Sequence, residues 1–330
     1  MSNISLDSIL TSFKGKGILI TGGAGYLASS LVSLLRHADC RITRLDREDA
    51  CRELISGTAQ ISDVFGDVRD PSLWKQNLEG IDIIFHFAAQ TSTYTANSDP
   101  QADQAINVLP MLYLLEACRK RGTCPTVCFS STVTVVGIPE RLPVDESHPD
   151  HPLTVYDLHK QMAEQYLCWY AEQGFVRGVI LRLSNVFGPG PRSSRSDRGI
   201  LNQMIRRALA GEPLTVYGAG TQLRDYVYVD DVAQAFLDAA RHAEILNGRY
   251  FIIGSGRGHT IADGMNMIAE RTEKLSGRKI IVQHIDPPGS LSPIEERNFV
   301  ADSGRFSKIT GWQPRYTLAE GIDKTLETFS

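Results

Sequence analysis

The chain has 330 residues, of which 42% are hydrophobic, and a formal net charge of −4 at pH 7. A length above the roughly 150 residues of a typical domain, with ordinary hydrophobic content, predicts a globular protein of two lobes or one enlarged domain. The mild negative charge gives no electrostatic reason to expect nucleic acid or an anionic membrane as a partner, and no apolar stretch reaches the roughly 18 residues of a membrane span.

The N-terminal segment and the cysteines both favour a reduced, cytoplasmic protein. The first residues, MSNISLDSILTSFKGKG, lack the basic start and apolar core of a secretion signal. The six cysteines show neither CxxC pairs nor the ligand spacing of a zinc site. We therefore expect neither a disulfide framework nor a bound metal.

The segment GILITGGAGYLASS, residues 17–30, carries the strongest local signal. A short apolar strand leads into a glycine-rich turn, and an apolar-rich helix is predicted from Ser29 to Leu35. This order is typical of a dinucleotide-binding turn: Gly22 permits the sharp turn, and Gly25 lets the backbone approach a pyrophosphate at the positive end of the helix. Glycine clusters also occur in ordinary turns, so the assignment depends on the strand that follows.

That strand, predicted over residues 41–45, ends at Asp46, where a ribose-binding acid is expected. A carboxylate at this point accepts hydrogen bonds from both ribose hydroxyls of NAD. It would repel the 2′-phosphate of NADP by about 4 kcal/mol for each unit charge pair at about 4 Å. NAD is therefore favoured over NADP as the cofactor. The positive charges of the flanking Arg44 and Arg47 weaken this preference.

Strand and helix signals alternate through the first half of the chain. Strands are predicted over residues 63–67, 81–89 and 125–130, and a helix over about residues 101–121. This alternation predicts an α/β fold with a Rossmann-type doubly wound parallel sheet. Ligands of such sheets gather at the carboxyl ends of the strands, so the chemistry is expected there.

A hydroxyl cluster and a tyrosine–lysine pair follow the last of these strands. Thr132 lies just beyond the strand, and Tyr156 and Lys160 open a helix predicted to end near residue 172. Positions i and i+4 share one helix face, so the ammonium and an oxidised nicotinamide could together lower the phenol pKa from about 10 by about three units. The phenolate would then act as a base, with Thr132 holding the reacting oxygen. Without the dinucleotide-binding turn and the strand that ends in hydroxyl residues, Tyr156 and Lys160 would be read as an ordinary pair on a helix surface.

With these motifs in order, the chain resembles the NAD-dependent epimerase/dehydratase group of extended short-chain dehydrogenases/reductases, which act on nucleotide-activated sugars. The resemblance covers nearly the whole chain. Its motifs are TGGAGYLA (21–28), Asp46, Gly66-Asp67-Val68, HFAAQ (86–90), Asn107, SSTVTVVG (130–137), YDLHK (156–160), RLSNVFGPG (182–190) and RDYVYVDDVA (224–233).

The resemblance implies three groups of site residues. The catalytic trio would be Thr132, Tyr156 and Lys160. The cofactor side would comprise Gly22, Gly25, Tyr26, Leu27, Asp46, Asp67, Val68, Phe87, Ala88, Gln90, Asn107, Ser130, Tyr156 and Lys160. The substrate side would comprise Asn185, Arg192, Tyr217, Arg224 and Arg297.

The second half is expected to form a smaller C-terminal α/β lobe that binds the nucleotide sugar. The NAD-binding lobe is predicted at residues 1–185 plus about 229–260, and the substrate lobe at about 186–228 plus 262–330. Arg224 and Arg297, far apart in sequence, could converge on a diphosphate, which guanidinium groups bind bidentately. Each arginine alone could be a solvated charge, and Tyr217 could serve core packing.

Departures from the family pattern narrow the reaction. Ala28 replaces the usual third glycine of the turn. Val133 and Thr134 stand where the similar sugar 4,6-dehydratases carry Asp-Glu, and neither supplies the acid and base for eliminating water. That form of dehydratase is therefore disfavoured, as are the uronate decarboxylases. The primary hypothesis is NAD-dependent epimerisation of a nucleotide-diphosphate sugar at C4, with UDP as the favoured nucleotide, through a transient ketone and a returned hydride.

Three alternatives stay open. An NAD(P)-dependent reductase of an activated keto-sugar would use the same residues but exchange its cofactor in each turnover. An atypical dehydratase and a redox-sensing scaffold that binds NAD without turnover are the others. Arg192, in the loop 188–199, resembles the arginine of uronate-type epimerases and suggests a UDP-uronate, although the loop could simply be solvated. The resemblance also implies a homodimer formed through helices at about 101–121 and 157–173.

Overall fold

The computed structural model describes residues 6–47, 56–191, 199–287, 289 and 292–329. The strands in these ranges are β1 (Gly17–Thr21), β2 (Arg41–Asp46), β3 (Gln60–Phe65), β4 (Ile83–His86), β5 (Thr126–Thr132), β6 (Arg177–Leu183), β7 (Asn185–Phe187), β8 (Leu214–Tyr217), β9 (Leu223–Tyr228), β10 (Arg249–Ile253), β11 (Gly258–Thr260) and β12 (Val282–Ile285).

The helices are α1 (Leu6–Thr11), α2 (Tyr26–Leu35), α3 (Pro71–Gln76), α4 (Thr93–Ser98), α5 (Pro100–Asn107), α6 (Leu109–Arg121), α7 (Val155–Glu172), α8 (Ile200–Leu209), α9 (Val229–Arg241), α10 (Ala243–Leu246), α11 (Ile261–Ser276), α12 (Gly304–Thr310) and α13 (Leu318–Phe329). Short 3₁₀ helices occupy Val133–Val136 and Pro293–Glu296. Among the described residues, no helix combines the length and apolar character that crossing a membrane requires.

Seven strands form one parallel sheet, in the order β10-β6-β5-β4-β1-β2-β3. The chain leaves β1 toward β2 and β3 on one side and returns to β4 on the other, so the strand order reverses between β1 and β4. Ligands of doubly wound sheets bind beyond the carboxyl ends of the strands at such a reversal. The predicted Rossmann-type sheet is confirmed.

Two hydrophobic clusters cover the two faces of this sheet. Side chains alternate between the faces of a strand, and β1 follows this rule. Ile18 and Ile20 belong to one cluster, with Phe236 of α9. Leu19 belongs to the other, with Leu115 of α6. Because both faces are covered, β1 is buried along its whole length, and its carboxyl end is held rigidly where the glycine-rich turn begins.

A third cluster lies apart from the main sheet, under small sheets of the order β11-β9-β7 and β12-β8. It joins Met204 of α8, Met265 of α11 and Ile322 of α13. This separate core supports the division into two lobes, which we retain as a proposal. Phe306 and Trp312 pack with the main-sheet cluster instead, so α12 lies against the first lobe.

Several element boundaries differ from those predicted. The helix expected over residues 101–121 is two helices, α5 and α6, which meet at Val108 just before Pro110, a residue with no N–H to donate. Helix α2 begins at Tyr26 rather than Ser29, directly after its N-cap Gly25. Strand β4 ends at His86, so the six residues between it and α4 form a loop at the carboxyl edge of the sheet.

Candidate active site

The turn between β1 and α2 has the shape that a dinucleotide requires. Gly22 has a φ of +64°, which favours glycine, and a Cβ there would approach the backbone nitrogen of Ala88 to 3.0 Å. The N–H of Gly25 donates to the carbonyl oxygen of Gly22 at 2.8 Å, which closes the turn. The first N–H groups of α2 then point out of the turn, as a helix start presents them to a phosphate. These residues fit the pyrophosphate of NAD.

Asp46 is held at the edge of this turn. Its Oδ2 accepts the N–H of Ala24 at 2.9 Å, and its Oδ1 accepts the N–H of Arg47 at 2.8 Å. The neighbouring Arg44 is buried and donates through Nε to Asp63 of β3 at 2.8 Å. Arg44 is therefore engaged beneath the turn, where it does not serve as a partner for a 2′-phosphate, and this arrangement supports NAD over NADP.

Tyr26 links the dinucleotide turn to the second half of the chain. Its hydroxyl donates to the carbonyl oxygen of Gly188 at 3.1 Å, and burial raises the pKa of this phenol. A Cβ on Gly190 would lie 2.5 Å from the Tyr26 ring. The Tyr26 side chain thus contacts the loop after β7. Leu27, next along α2, packs against the first cluster.

Other predicted cofactor residues lie at the carboxyl ends of β3 and β4. Asp67 forms an ion pair with Arg69 at 2.5 Å, and this hydrogen bond lowers the pKa of the carboxyl group. The carbonyl oxygen of Val68 accepts the indole N–H of Trp74 at 2.9 Å. This bond orients the backbone at Val68, one residue beyond the acid.

The segment after β4 is fixed by Thr21, the last residue of β1. The Thr21 hydroxyl accepts the N–H of Ala88 at 3.1 Å, and the ring of Phe87 packs on Phe236 with centroids 4.7 Å apart. Both predicted residues therefore lie beside the glycine-rich turn, at the point where the strand order reverses. Because Gly22 has no Cβ, the backbone of Ala88 can approach it closely.

Gln90 and Asn107 are positioned by a buried acid that the motifs did not identify. Asp103 Oδ1 accepts from Gln90 Nε2 at 2.7 Å and from Asn107 Nδ2 at 2.9 Å. Its other oxygen, Oδ2, pairs with Nδ1 of His159 at 2.7 Å. The carbonyl oxygen of the Asn107 side chain is buried and has no partner among the described residues.

Ser130, near the end of β5, donates to the carbonyl oxygen of His86 at 3.3 Å. His86 is buried and its Nδ1 lies 2.9 Å from the Thr21 hydroxyl. Burial, with a smaller contribution from the charge of Lys160, lowers the pKa of His86 to about 3. The imidazole is therefore neutral at the pH of the cell and adds no second charge beside the lysine.

The catalytic trio predicted from sequence is carried by β5 and the first turns of α7. Thr132 is the last residue of β5, and α7 packs against that strand. Tyr156 is buried, and the Nζ of Lys160 lies 4.1 Å from the centroid of the Phe129 ring. Lys160 is only 2% exposed, and this burial lowers its pKa to about 7. A buried cation one helical turn from the phenol is what a tyrosine base requires.

Two further side chains join the end of β5 to the start of α7. The hydroxyl oxygens of Thr132 and Thr134 are 2.8 Å apart, and the Thr134 hydroxyl donates to Oδ1 of Asp157 at 2.5 Å. Asp157 also completes a capping box with Thr154, whose N–H donates to Oδ2 at 3.2 Å. Burial raises the pKa of Asp157, while these hydrogen bonds and the charge of Arg297 oppose the rise.

The two predicted substrate arginines do meet in the fold. Arg224 of β9 donates through Nη1 to the carbonyl oxygen of Arg297, and through Nη2 to the carbonyl oxygen of Glu295 at 2.5 Å. Arg297 is 6% exposed, and its Nε has no partner among the described residues. Burial, and then the neighbouring guanidinium, lower the pKa of Arg297 to about 10.

This arginine pair has few direct ion-pair partners, although Glu295 and Asp157 act on the charge of Arg297. Within the described residues, the two guanidinium groups form one ion pair, between Arg224 and the half-exposed Glu295 at 3.8 Å. Buried charges without partners are costly, and guanidinium groups bind phosphate oxygens in pairs. A diphosphate would give the two guanidinium groups direct anionic partners.

The remaining predicted substrate residues lie in different settings. Asn185 begins β7 and pairs with Tyr226 of β9, two residues beyond Arg224. Tyr217 ends β8 and is half exposed, and no contact among the described residues joins it to the arginines. Arg192 lies in residues 192–198, outside the described residues.

The sequence profile of the NAD dependent epimerase/dehydratase family matches residues 18–254. The chain belongs to this family. The UDP-glucose 4-epimerase of Mycolicibacterium smegmatis is 31% identical over 325 residues, which cover 94% of this chain and 97% of that protein.

Solved structures of family members are similar over nearly their whole length. The UDP-glucose 4-epimerase of Thermotoga maritima, solved with UDP-glucose, has a TM-score of 0.82 and 28% identity, covering 95% of this chain and 98% of its own. MoeE5, solved with UDP-glucuronic acid and NAD, has a TM-score of 0.78 and 27% identity, covering 94% and 98%. The predicted family is confirmed, and so is the prediction of NAD as the cofactor, at the level of the family.

Proposed function

We propose that this protein is an NAD-dependent epimerase that inverts C4 of a UDP-sugar. The observation that carries the proposal is the place of the arginine pair relative to the catalytic trio. Arg297 interacts electrostatically with Asp157, the residue that follows Tyr156. A diphosphate bound by Arg224 and Arg297 would therefore be anchored beside the start of α7, with its sugar near the phenol. The names of the similar proteins support the nucleotide and the carbon.

The chain's own residues can perform each proton step. When bound, NAD accepts a hydride from the sugar and returns it. Tyr156, as phenolate, removes the proton of the reacting hydroxyl and later gives it back, and the ammonium of Lys160 lowers the phenol pKa for this purpose. Thr132 holds the reacting oxygen. The arginine pair keeps the diphosphate in place while the sugar turns to present its other face.

The reaction is tested with the enzyme as purified, without added NAD or NADH. UDP-, dTDP-, GDP- and CDP-sugars are incubated with it and the products are resolved by NMR. We expect epimerisation of a UDP-sugar with no net conversion of the nicotinamide, and a loss of roughly 10²- to 10⁴-fold in the rate for Tyr156→Phe with NAD retained. Turnover only with added NADH would show a keto-sugar reductase instead, and full activity in Tyr156→Phe would contradict both.

We further propose that the sugar is a uronate, bound through Arg192. The support is the position of this arginine in the loop after β7 and the overall similarity to MoeE5. Arg192→Ala should raise KM for the UDP-uronate about 10-fold or more, the cost of a charge-assisted hydrogen bond, and leave KM for the neutral UDP-sugar nearly unchanged. Steady-state kinetics on both substrates checks this, and an equal effect on the two would contradict it.

A homodimer and a cytoplasmic location are proposals of the same kind. The dimer would form through α6 and α7, the helices that the family resemblance implies. Leu158 and Trp169 of α7 are 47% and 52% exposed, and their spacing of eleven residues places them on one side of the helix. The free thiols of Cys40, Cys118 and Cys128 are consistent with a reducing compartment.

A further inference from the structure

Asp103 is a buried carboxylate that joins three elements on the cofactor side of the site. It is 1% exposed and lies on α5, four residues before Asn107 and therefore on the same side of the helix. Its Oδ1 accepts two N–H groups, from Gln90 Nε2 at 2.7 Å and from Asn107 Nδ2 at 2.9 Å. Its Oδ2 lies 2.7 Å from Nδ1 of His159 on α7. The loop after β4, α5 and α7 thus meet at this one side chain.

These contacts fix the direction in which the Asn107 amide faces. An NH₂ group has two protons, and Asn107 uses both: one goes to Oδ1 of Asp103, and the other to the backbone carbonyl oxygen of Gln90 at 2.9 Å. Both partners are acceptors, so the nitrogen of the amide must face them. The carbonyl oxygen of Asn107 consequently points away from both. It is buried and has no partner in the described part of the chain.

Gln90 depends less on Asp103 than Asn107 does. Its Nε2 also donates to the carbonyl oxygen of Ser92 at 2.8 Å, and its Oε1 accepts the N–H of Ser92. If Asp103 were removed, Gln90 would keep these two bonds, whereas the Asn107 amide would keep only the one to Gln90. The direction of the Asn107 oxygen is therefore the feature that Asp103 controls most directly.

Asn107 lies on the side of the cofactor site that is nearer to the reacting phenol. Helix α5 packs against α7, and Asp103 contacts His159, the neighbour of Lys160 along the chain. Asp46, the predicted ribose-binding acid, ends β2, which lies on the other side of β1 from β4. Because the hydride is exchanged beside the phenol, we expect the nicotinamide half of NAD near α5 and α7, and the adenosine half near Asp46.

The buried oxygen of Asn107 requires a hydrogen-bond donor, because buried polar atoms rarely lack a partner. The nicotinamide half of NAD carries such donors in its ribose hydroxyl groups and its carboxamide. We propose that Asp103 is a positioning residue for the dinucleotide, which acts through Asn107 by holding the amide with its carbonyl oxygen toward a donor of the nicotinamide half. Since the amide is already oriented before NAD binds, binding does not have to order it. The inference concerns the retention of the cofactor and not the reaction that the cofactor serves.

The readout is the rate at which NAD leaves the holoenzyme. Bound NAD is exchanged against an excess of isotope-labelled NAD, and mass spectrometry of the protein-bound fraction follows the exchange. Asp103→Leu should release NAD about 10- to 100-fold faster than the wild type, the effect of one or two lost hydrogen bonds. No sugar is present, so a protein inactive on every nucleotide sugar would refute the proposed function and leave this test intact.

Two variants separate positioning from charge and from packing. Asp103 interacts electrostatically with Lys160, so its charge could act on the site directly. Asp103→Asn removes this charge but keeps an oxygen for Gln90 and Asn107, with its NH₂ group facing an imidazole that can carry its proton on either nitrogen. We expect its release rate to lie within about 3-fold of that of the wild type. His159→Phe removes only the contact to α7, and it should cost stability and leave the release rate within the same limit.

A double-mutant cycle tests whether Asp103 acts through Asn107. Asn107→Leu alone should accelerate the release of NAD, because the acceptor is lost. If Asp103 serves mainly to orient that acceptor, adding Asp103→Leu should change the rate of Asn107→Leu by less than about 3-fold. If the accelerations of the two single variants instead multiply in the double variant, the two residues act independently and the inference is overturned.

Two further results would contradict the inference. One is an acceleration in Asp103→Asn as large as that in Asp103→Leu, since the charge would then matter and not the orientation. The other is an equally large acceleration in His159→Phe, because packing of α5 on α7 would explain both effects.

A crystal structure of the wild-type holoenzyme decides the matter even if the leucine variants fail to fold. A donor of the nicotinamide half within about 3.2 Å of the Asn107 side-chain oxygen supports the inference. An Asn107 oxygen that contacts only water or protein overturns it.

Discussion

Lys160 carries its ammonium where water scarcely reaches it, over the face of Phe129. Burial is the main cause of its low pKa, about 7, with Glu164 and Asp103 opposing it. A lysine in the unfolded chain keeps the ordinary value of 10.5. Between these two pKa values, the unfolded chain binds a proton at Lys160 that the folded chain does not. The free energy of unfolding therefore rises with pH across this range, and the buried ammonium destabilises the fold most below pH 7.

We therefore expect Lys160→Met to stabilise the NAD-free protein by roughly 3–5 kcal/mol below pH 7, with the gain shrinking toward pH 10. The measurement is the free energy of unfolding in urea, for both proteins at several pH values. Using the difference between the two proteins cancels the titration of most other groups. A gain that stays constant from pH 7 to pH 10 would show that the ammonium is not desolvated.

Among the described residues, the buried Nε of Arg297 has no partner, and its Nη1 donates to the carbonyl oxygen of Ile294 at 2.8 Å. Such a group contributes little to the ligand-free fold and much to the binding of an anion. Arg297→Met should weaken UDP binding about 10- to 100-fold and leave the free energy of unfolding of the ligand-free protein unchanged or higher.

Calorimetry with UDP and unfolding in urea check this pair of effects. Arg278→Met is the matched control, since Arg278 is exposed and its replacement removes the same charge from the surface. If Arg297→Met bound UDP normally and was less stable than the wild type, Arg297 would stabilise the fold and would not bind the diphosphate.

At the scale of the element, the turn between β1 and α2 offers a comparison of two glycines. Gly22 and Gly122 have almost the same backbone angle, with φ of +64° and +67°. A Cβ at Gly22 would crowd the backbone of Ala88, whereas a Cβ at Gly122 would meet nothing within 4 Å. Replacing either glycine by alanine therefore has the same conformational cost. Only at Gly22 does the new Cβ also clash with neighbouring atoms.

Gly22→Ala should lose about 2–4 kcal/mol of stability and co-purify with little NAD, whereas Gly122→Ala should lose about 1 kcal/mol and keep its NAD. The measurements are the free energy of unfolding and the nicotinamide content of the purified protein. Equal losses in the two variants would mean that the close approach at Ala88 has no consequence.

The sequence predicted those site residues whose relation is local. Tyr156 and Lys160 are one helical turn apart, and Thr132 ends a strand whose apolar pattern is plain. Asp157 and Asp103 were missed because their partners lie 23 and 56 residues away, at Thr134 and His159, and only the fold brings them together. The capping box of Thr154 and Asp157 is a local feature, but only the fold brings the other carboxylate oxygen of Asp157 to Thr134.

The difference between local and tertiary interactions also explains which element boundaries were predicted wrongly. The helix predicted over residues 101–121 followed the apolar period and overlooked Pro110, whose missing N–H accompanies the break between α5 and α6. The pairing of Arg224 with Arg297 was expected from the family resemblance. Their hydrogen bonds to backbone carbonyl oxygens, and an Nε that has no partner in the described part of the chain, come from the tertiary structure.

At the scale of the whole molecule, the outer side of α7 bears on the proposed homodimer. Leu158, Met162 and Trp169 follow the helical spacing along one side, and the first and last are about half exposed. Burying this stripe against a second copy would remove apolar surface from water.

Trp169→Glu should convert the dimer to a monomer at micromolar concentration, because a charge would be left in the apolar contact. Size-exclusion chromatography with light scattering measures the mass. Ile245→Glu is the matched control, since Ile245 is 62% exposed but lies on α10, and it should leave the mass unchanged. A wild-type protein that elutes as a monomer would contradict the proposed dimer.

The bond from Tyr26 to the carbonyl oxygen of Gly188, with Gly190 against the same ring, ties the two halves of the molecule at one aromatic side chain. Any shift of that loop as product departs is transmitted to the turn that grips the dinucleotide. Engineering the loop for a different sugar will therefore also change how long NAD stays on the enzyme.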